Sequence, residues 1–198
     1  NCNLNPKPGQ FIEVSIPGFG ECPLASCSSN PKKINLLTRK AGNVTSRFFK
    51  LKKGDPLFIR GPYGNGFPLK ELENKNLLLI AGGTGIAPIT SLINYIEQNR
   101  EKFKNITIYF GFRNSEYILL KEQLKKWKKK FNLTICIDNN PDKKTNFKDP
   151  FNCKIGFTQE IINKNKPSLD NTIALMCGPE IMVQLVTKTL SLQELTHD

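Results

Sequence analysis

The chain has one histidine, His197, and it stands one residue from the end. A Ser–His–Asp arrangement needs an internal histidine, so hydrolytic chemistry of that type is disfavoured and His197 is a poor ligand or general base. The six cysteines, Cys2, Cys22, Cys27, Cys136, Cys153 and Cys177, contain no C-x-x-C pair. Cys22 and Cys27 have the C-x4-C spacing that opens a plant-type iron–sulfur site, but the C-x2-C that completes it is missing, which argues against a cluster held within this chain. No metal constellation emerges. No apolar run approaches the roughly 20 residues that span a bilayer. The opening Asn1-Cys2-Asn3-Leu4 has neither a methionine nor an apolar signal core, and reads as a trimmed or incomplete chain. A cytoplasmic protein with reduced cysteines is expected.

Acidic residues are also scarce. Twenty-nine Lys and Arg face 17 Asp and Glu, for a net charge of +12. Much of the excess lies in Lys121–Lys130, where Leu120, Leu124, Trp127 and Phe131, with Tyr117 before them, recur near helical spacing. The lysines then form the solvated face of a core-packed helix. An acidic redox partner is the functional alternative. Nucleic-acid binding has only the charge in its favour, with no aromatic interleaving and no known motif. The chain is 198 residues long and 38% hydrophobic, enough for a core in one large or two small domains.

Two periodicities divide it. Residues 1–73 read as β structure. Ile12, Val14 and Ile16 alternate with Phe11, Glu13 and Ser15 until Pro17-Gly18. Further strands are predicted at Ile34–Arg39 and Leu57–Arg60, and short strands joined by Gly/Pro turns point to a small antiparallel barrel. Residues 74–198 alternate strand and helix. Strands are predicted at Leu77–Ala81, Ile106–Phe110, Leu133–Ile137 and Thr172–Met176. Ile89, Leu92, Ile93 and Ile96 mark the buried face of one helix, Glu116–Lys129 forms another, and Ile181, Met182, Leu185 and Val186 are the buried face of a third. This is the pattern of a doubly wound parallel sheet, which binds ligands at the carboxyl ends of its strands. Cys136 is expected to be a buried strand residue, and the polar run Asn139–Asp149 a surface loop.

Three glycine turns occupy fixed places in this plan. Arg60-Gly61-Pro62-Tyr63-Gly64-Asn65-Gly66-Phe67 closes the β half. Leu77–Ala81 runs into Gly82-Gly83-Thr84-Gly85 and then a helix with Pro88 in its first turn. Met176-Cys177-Gly178-Pro179 follows the last strand. A strand, a glycine turn and a helix start place free backbone N–H groups beside the positive end of a helix dipole, which suits a nucleotide pyrophosphate.

The ordered set resembles the ferredoxin–NADP reductase superfamily, over nearly the whole chain. Within it the likeness is to the electron-transfer subunits of anaerobic sulfite reductase, of sulfhydrogenase (gamma) and of dihydroorotate dehydrogenase, with Arg60–Phe67 most like the sulfite reductase and hydrogenase branch. The resemblance implies a mixed fold. An FAD-binding β-barrel at 1–73, lacking its first strand, precedes an NAD(P)-binding α/β domain at 74–198. It implies a flavin-dependent NAD(P)H oxidoreductase in which hydride passes from nicotinamide to flavin and single electrons then pass to an iron–sulfur partner. That partner is another subunit of a redox complex or an acidic ferredoxin-like carrier, and the [2Fe–2S] centre lies in a segment after the last helix or on the partner. Sulfite reduction is the first terminal assignment; hydrogenase or dihydroorotate dehydrogenase is the alternative.

The resemblance also carries over site residues. Leu37, Arg39, Gly42, Val44 and Thr45 match the strand and turn beside the flavin phosphates, where Gly42 permits a tight turn and the N–H groups near Thr45 and Ser46 can donate to anionic oxygen. Gly61, Pro62, Tyr63 and Gly64 match the turn at the flavin edge. Gly82, Gly83, Thr84 and Gly85 match the nicotinamide-nucleotide loop. Cys177, with Gly178 and Pro179, matches the cysteine turn beside the nicotinamide ring; Cys177 and Thr84 are the candidate catalytic residues, the thiol packing against the ring. Arg113 falls where the family contacts the adenosine part. One motif departs from the pattern. Cys22-Pro23-Leu24-Ala25 stands where the family has Arg-x-Tyr/Ile-Ser, so both the arginine and the serine are absent, and Ser26 or Ser28 is the substitute hydroxyl. If the barrel holds no flavin, the chain becomes a nucleotide-binding scaffold or sensor.

Overall fold

The computed structural model describes residues 4–28, 33–138 and 150–194. Cys2, Ser29, His197 and the run Asn139–Asp149 lie outside the described residues. The chain divides into two compact units. One takes in the chain up to Leu69 together with Ala87–Arg100; the other takes in Lys70–Ile86 and the chain from Glu101 onward.

The first unit is built on a three-stranded antiparallel sheet, ordered β2-β1-β3, from β1 (Phe11–Ile16), β2 (Gly20–Ala25) and β3 (Phe58–Tyr63). The alternation in β1 is real. Ile12, Val14 and Ile16 are buried while Phe11, Glu13 and Ser15 are half-buried. Pro23, which cannot donate to a ladder, sits in the edge strand β2, where that loss is tolerated. The expected strand at Ile34–Arg39 makes one isolated bridge, Leu36 to Ser26, and no ladder. Cys27 N–H donates to Asn35 O at 2.8 Å, so the pairing is confined to a few residues. The short helix α1 (Asn43–Phe48) approaches the start of β2, with Val44 Cγ2 close to Gly20 and the Arg47 guanidinium 4.4 Å from the centre of the Phe19 ring. Helix α2 (Ile86–Gln98) buries Ile89, Leu92, Ile93 and Ile96 as its spacing predicts. Its Ser91 Oγ accepts from Gly9 N–H at 3.0 Å, and Asn94 Nδ2 donates to Cys27 O at 2.8 Å.

The second unit is a five-stranded sheet of parallel pairs, ordered β7-β6-β5-β4-β8. Its strands are β4 (Asn76–Gly82), β5 (Ile106–Phe112), β6 (Asn132–Ile137), β7 (Lys154–Ile155) and β8 (Thr172–Cys177). Leu77 to Ala81 are each at most 1% exposed, as befits a central strand covered on both faces. On one face α4 (Thr158–Asn165) and α5 (Glu180–Glu194) close over Leu78, Ile80, Tyr109 and Cys136, adding Ile161, Ile162, Val186 and Leu190. On the other face α3 (Lys121–Lys128) brings Trp127 to 6.3 Å from Phe110, ring centre to ring centre. No helix among the described residues is long and apolar enough to cross a membrane.

The basic helix is shorter than its pattern. Ser115–Tyr117 is a separate 3₁₀ turn capped by the Asn114 side chain, and Tyr117 is exposed; Ile118 takes the buried place. Leu124 and Trp127 are buried, and Lys121, Lys125, Lys126 and Lys128 face solvent. On α5 the buried face is Val186 and Leu190, with Met182 partly buried, while Ile181 and Leu185 are exposed. The apolar stripe of this helix is narrower than its composition implied. β7 and α4 carry no strong apolar pattern and were not anticipated.

Cys136 has no exposed surface, and burial pushes its thiol from the ordinary 9.0 up to about 12, against an opposing hydrogen bond with Thr158. A thiol whose pKa rises on folding stays protonated in the native chain and ionises in the unfolded chain between those values. Its stabilisation is therefore complete below pH 9 and lost as the pH rises toward 12. Urea melts from pH 8 to 11 should show a steeper fall in stability for the unmodified chain than for Cys136→Ala; parallel slopes would remove the thiol from this account.

Candidate functional site

The order β7-β6-β5-β4-β8 reverses between β4 and β8, since the chain builds outward from β4 to β7 and then returns to the other side of β4. In open α/β sheets such a reversal opens a crevice at the carboxyl ends of the two strands. The register is set by parallel pairing, with Ile80 opposite Met176 and Ala81 opposite Cys177. Gly82–Gly85 and Cys177–Pro179 therefore leave the sheet side by side.

Glycine is required for this approach. A methyl group built on Gly85 would overlap the Cys177 carbonyl, one on Gly82 would stand 2.6 Å from Met182 Sδ and 2.9 Å from Pro179 Cδ, and one on Gly178 would stand 2.9 Å from Gly82 N. Gly83 has φ 53°, the left-handed region, and no atom lies within 4 Å of its missing Cβ. Gly83–Gly85 forms a 3₁₀ turn, and Ile86 N–H, at the start of α2, donates back to Gly83 O and Thr84 O. Gly83 and Thr84 are exposed, so the backbone of the turn and the Thr84 side chain face solvent. Cys177 is half-buried, and burial raises its thiol above the ordinary range, which keeps it neutral near pH 7. A neutral thiol packs against a ring well and attacks poorly.

Further along the same edge, Gly111 gives up its side chain to Thr158, whose Oγ1 occupies that space. Arg113 is exposed just beyond β5. Asp138 follows β6, its N–H donating to Phe112 O at 3.1 Å. Burial raises the Asp138 carboxyl, with Arg113 opposing and Glu160 reinforcing. Asp138 and Thr158 escaped the sequence reading. The available signal was Gly156, at φ 135°, followed by Glu160, whose Oε2 accepts from Phe157 N–H at 3.0 Å in a box that starts a helix.

In the first unit the candidate flavin residues fall at two ends of the sheet. Ala25 and Tyr63 flank Phe11, directly opposite it in β2 and β3, with the Phe11 and Tyr63 rings 5.8 Å apart. Pro23 and Leu24 continue β2, opposite Glu13 and Ile12. The expected turn at Gly61-Pro62-Tyr63 is the end of β3, with a register shift against β1 between Phe11 and Glu13. Gly61 and Gly64 have φ of 129° and 81°, conformations that favour glycine, and Gln10 Nε2 donates to Gly64 O at 2.7 Å. Val44 lies at the other end, by Gly20, about 16 Å away along β2 at the usual rise per residue. Gly42 has φ −167°, extended backbone open to any residue, so no tight turn depends on it. Thr45 Oγ1 accepts from both Ala41 N–H and Gly42 N–H at 2.9 Å, and Ser46 N–H donates to Gly42 O at 2.8 Å, so these amides are already used. Ser26 and Ser28 are buried and bonded to each other, their hydroxyls 3.2 Å apart, with Asn35 N–H donating to Ser28 Oγ at 3.1 Å. Arg39 is exposed and Leu37 half-buried. Between them Thr38 Oγ1 is buried without a protein partner.

Residues 79–188 match the Oxidoreductase NAD-binding domain family. The sulfhydrogenase 2 gamma subunit of Pyrococcus furiosus is 35% identical over 198 residues, covering 95% of this chain and 68% of that protein. A probable dihydroorotate dehydrogenase B (NAD(+)) electron transfer subunit from the same organism is 33% identical, covering 94% and 65%. Among solved structures, the ferredoxin reductase in carbazole 1,9a-dioxygenase superposes with a TM-score of 0.78 at 20% identity, covering 98% of this chain and 58% of that one. The cytochrome b5 reductase domain of Ulva prolifera nitrate reductase gives 0.75 at 17%, covering 96% and 82%. The chain belongs to the NAD-binding oxidoreductases of ferredoxin–NADP reductase-like fold. It spans about two thirds of the length of the curated relatives it matches.

For this oxidoreductase the glycine geometry separates three substitutions. Gly85→Ala forces the turn away from Cys177 and should cost about 1–3 kcal/mol of stability. Gly83→Ala meets only the left-handed backbone penalty, about 1–2 kcal/mol. Gly42→Ala meets neither and should stay within about 0.5 kcal/mol of the unmodified chain. Thermal melts of the three variants check the order; a Gly42→Ala variant as unstable as Gly85→Ala would contradict it. Cys177 should also react slowly with iodoacetamide at pH 7.5, several-fold below an unstructured thiol, because burial disfavours its thiolate.

Proposed function

We propose that the chain is the electron-input part of a flavin-dependent NAD(P)H oxidoreductase, taking hydride from a nicotinamide and passing single electrons to an iron–sulfur partner. The observation that carries this is the pairing of Ala81 with Cys177, which sets a solvent-facing glycine turn beside a neutral thiol at the sheet's switch point.

The residues fit a dinucleotide. Gly82, Gly85 and Gly178 let the two turns close on each other, Gly83 leaves the exposed side of the turn open for a pyrophosphate to approach, and the turn amides and Thr84 hydroxyl supply donors. Cys177 offers an apolar, uncharged contact that holds a nicotinamide ring without competing for its hydride. Arg113, with Asp138 near it, stands where the adenosine part extends along the strand ends. The fit of FAD to the first unit rests on the Phe11–Tyr63 pair at the Ala25 end, the irregular glycine-containing end of β3 at Gly61–Gly64, and the buried unpartnered Thr38 hydroxyl. Bound there, FAD would convert a two-electron hydride donor into a source of single electrons. With the motif arginine and serine absent and the Ala41, Gly42 and Ser46 amides already bonded, flavin binding must draw on Arg39 and Thr38.

The gamma subunits of two sulfhydrogenases, at 35% and 38% identity, favour a hydrogenase-type complex as the setting, with the dihydroorotate dehydrogenase type second. Sulfite reduction rests on the Arg60–Phe67 stretch alone. Partner subunits and an iron–sulfur centre outside the described residues belong to the same reading.

The test is an absorbance spectrum of the chain reconstituted with FAD, before and after anaerobic NADH or NADPH. A flavin spectrum that bleaches supports the proposal, and the faster donor identifies the nicotinamide. A chain that binds NAD(+) but no flavin would instead be a nucleotide-binding scaffold.

A further inference from the structure

We propose that Met182 is a positioning residue for the nucleotide turn, a role that rests on the nucleotide reading above. Met182 lies in the first turn of α5, and its side chain fills the space that two glycines leave empty. Its sulfur stands 2.6 Å from where a Gly82 Cβ would be, and its methyl 2.6 Å from where a Gly178 Cβ would be. The same side chain packs against the cluster of Leu78, Ile80, Tyr109 and Val186 beneath the sheet. One residue thus touches the turn after β4, the turn after β8 and the core that fixes both strands.

The chemistry suits the place. A thioether has three rotatable bonds and a polarisable sulfur, so it fits an irregular gap between two backbones that a β-branched side chain cannot enter. Glycines bring the turns close, but by themselves they leave both turns conformationally free. Met182 removes that freedom and fixes the spacing between the pyrophosphate turn and the Cys177 thiol. Pro179, 2.9 Å from the missing Gly82 Cβ, crowds the same position beside Met182. An ordinary core methionine would support stability alone; this one also sets ligand affinity.

The experiment measures binding of ADP-ribose, which carries the pyrophosphate and no reducible ring, and of NAD(+), to the full chain, Met182→Ala and Met182→Leu. Calorimetry is run at a temperature where each is folded by circular dichroism. Met182→Ala should bind ADP-ribose roughly tenfold more weakly, the scale expected when a supporting contact is lost and a site loosens. The loss should be at least as large for NAD(+), which spans both turns, while Met182→Leu should remain within about twofold. If Met182→Ala does not fold, Met182→Val replaces it with the same expectation. A lower melting temperature with unchanged affinity would make Met182 merely structural and overturn the proposal, leaving the nucleotide reading intact. Failure of the unmodified chain to bind either ligand would remove both.

Discussion

Parallel pairing of β4 with β8 is the constraint on which the second unit's site depends. A ladder that sets Ala81 beside Cys177 leaves no choice about where the two turns emerge. Their separation then dictates glycine at positions 82, 85 and 178, because the space each Cβ would need is already taken by the neighbouring turn or by Met182. The buried run Leu77–Ala81 holds that register, since a one-residue slip would exchange the faces of Leu78 and Ile80 for those of Leu77 and Leu79 and break the packing under α4 and α5.

Electrostatics plays a smaller part at the site than the charge of +12 suggests. The lysines of α3 are carried by Leu124 and Trp127 and lie on the solvent side of a helix that packs on β6. The functional edge has few ionised groups, chiefly Arg113 and Asp138, and a thiol that stays neutral. That suits hydride chemistry, in which the protein's work is to orient rings and exclude water.

The sequence made the second unit largely legible, because unbroken apolar runs such as Leu77–Ala81 and spacings such as Ile89-Leu92-Ile93-Ile96 admit few alternatives. It misled where an apolar residue was exposed without breaking the pattern. Tyr117 looked like part of the helix face until Asn114 capped a separate turn, and Ile181 and Leu185 read as buried although α5 buries Val186, Leu190, Gln193 and part of Met182 instead. Site residues supplied by close backbone approach were visible as glycines, but what they approach was not; the Thr158 hydroxyl against Gly111 has no local signature. In the first unit, glycine at position 42 suggested a special conformation that the extended backbone does not need. Ser26 and Ser28 looked available until their mutual hydrogen bonds were seen.

The most direct test is amide hydrogen exchange with and without saturating NAD(+). The account predicts that added protection concentrates in two separate stretches of sequence, 82–86 and 177–178, which only the β4–β8 pairing makes neighbours. Protection confined elsewhere, or at only one of the two turns, would contradict a nucleotide site built at this switch point.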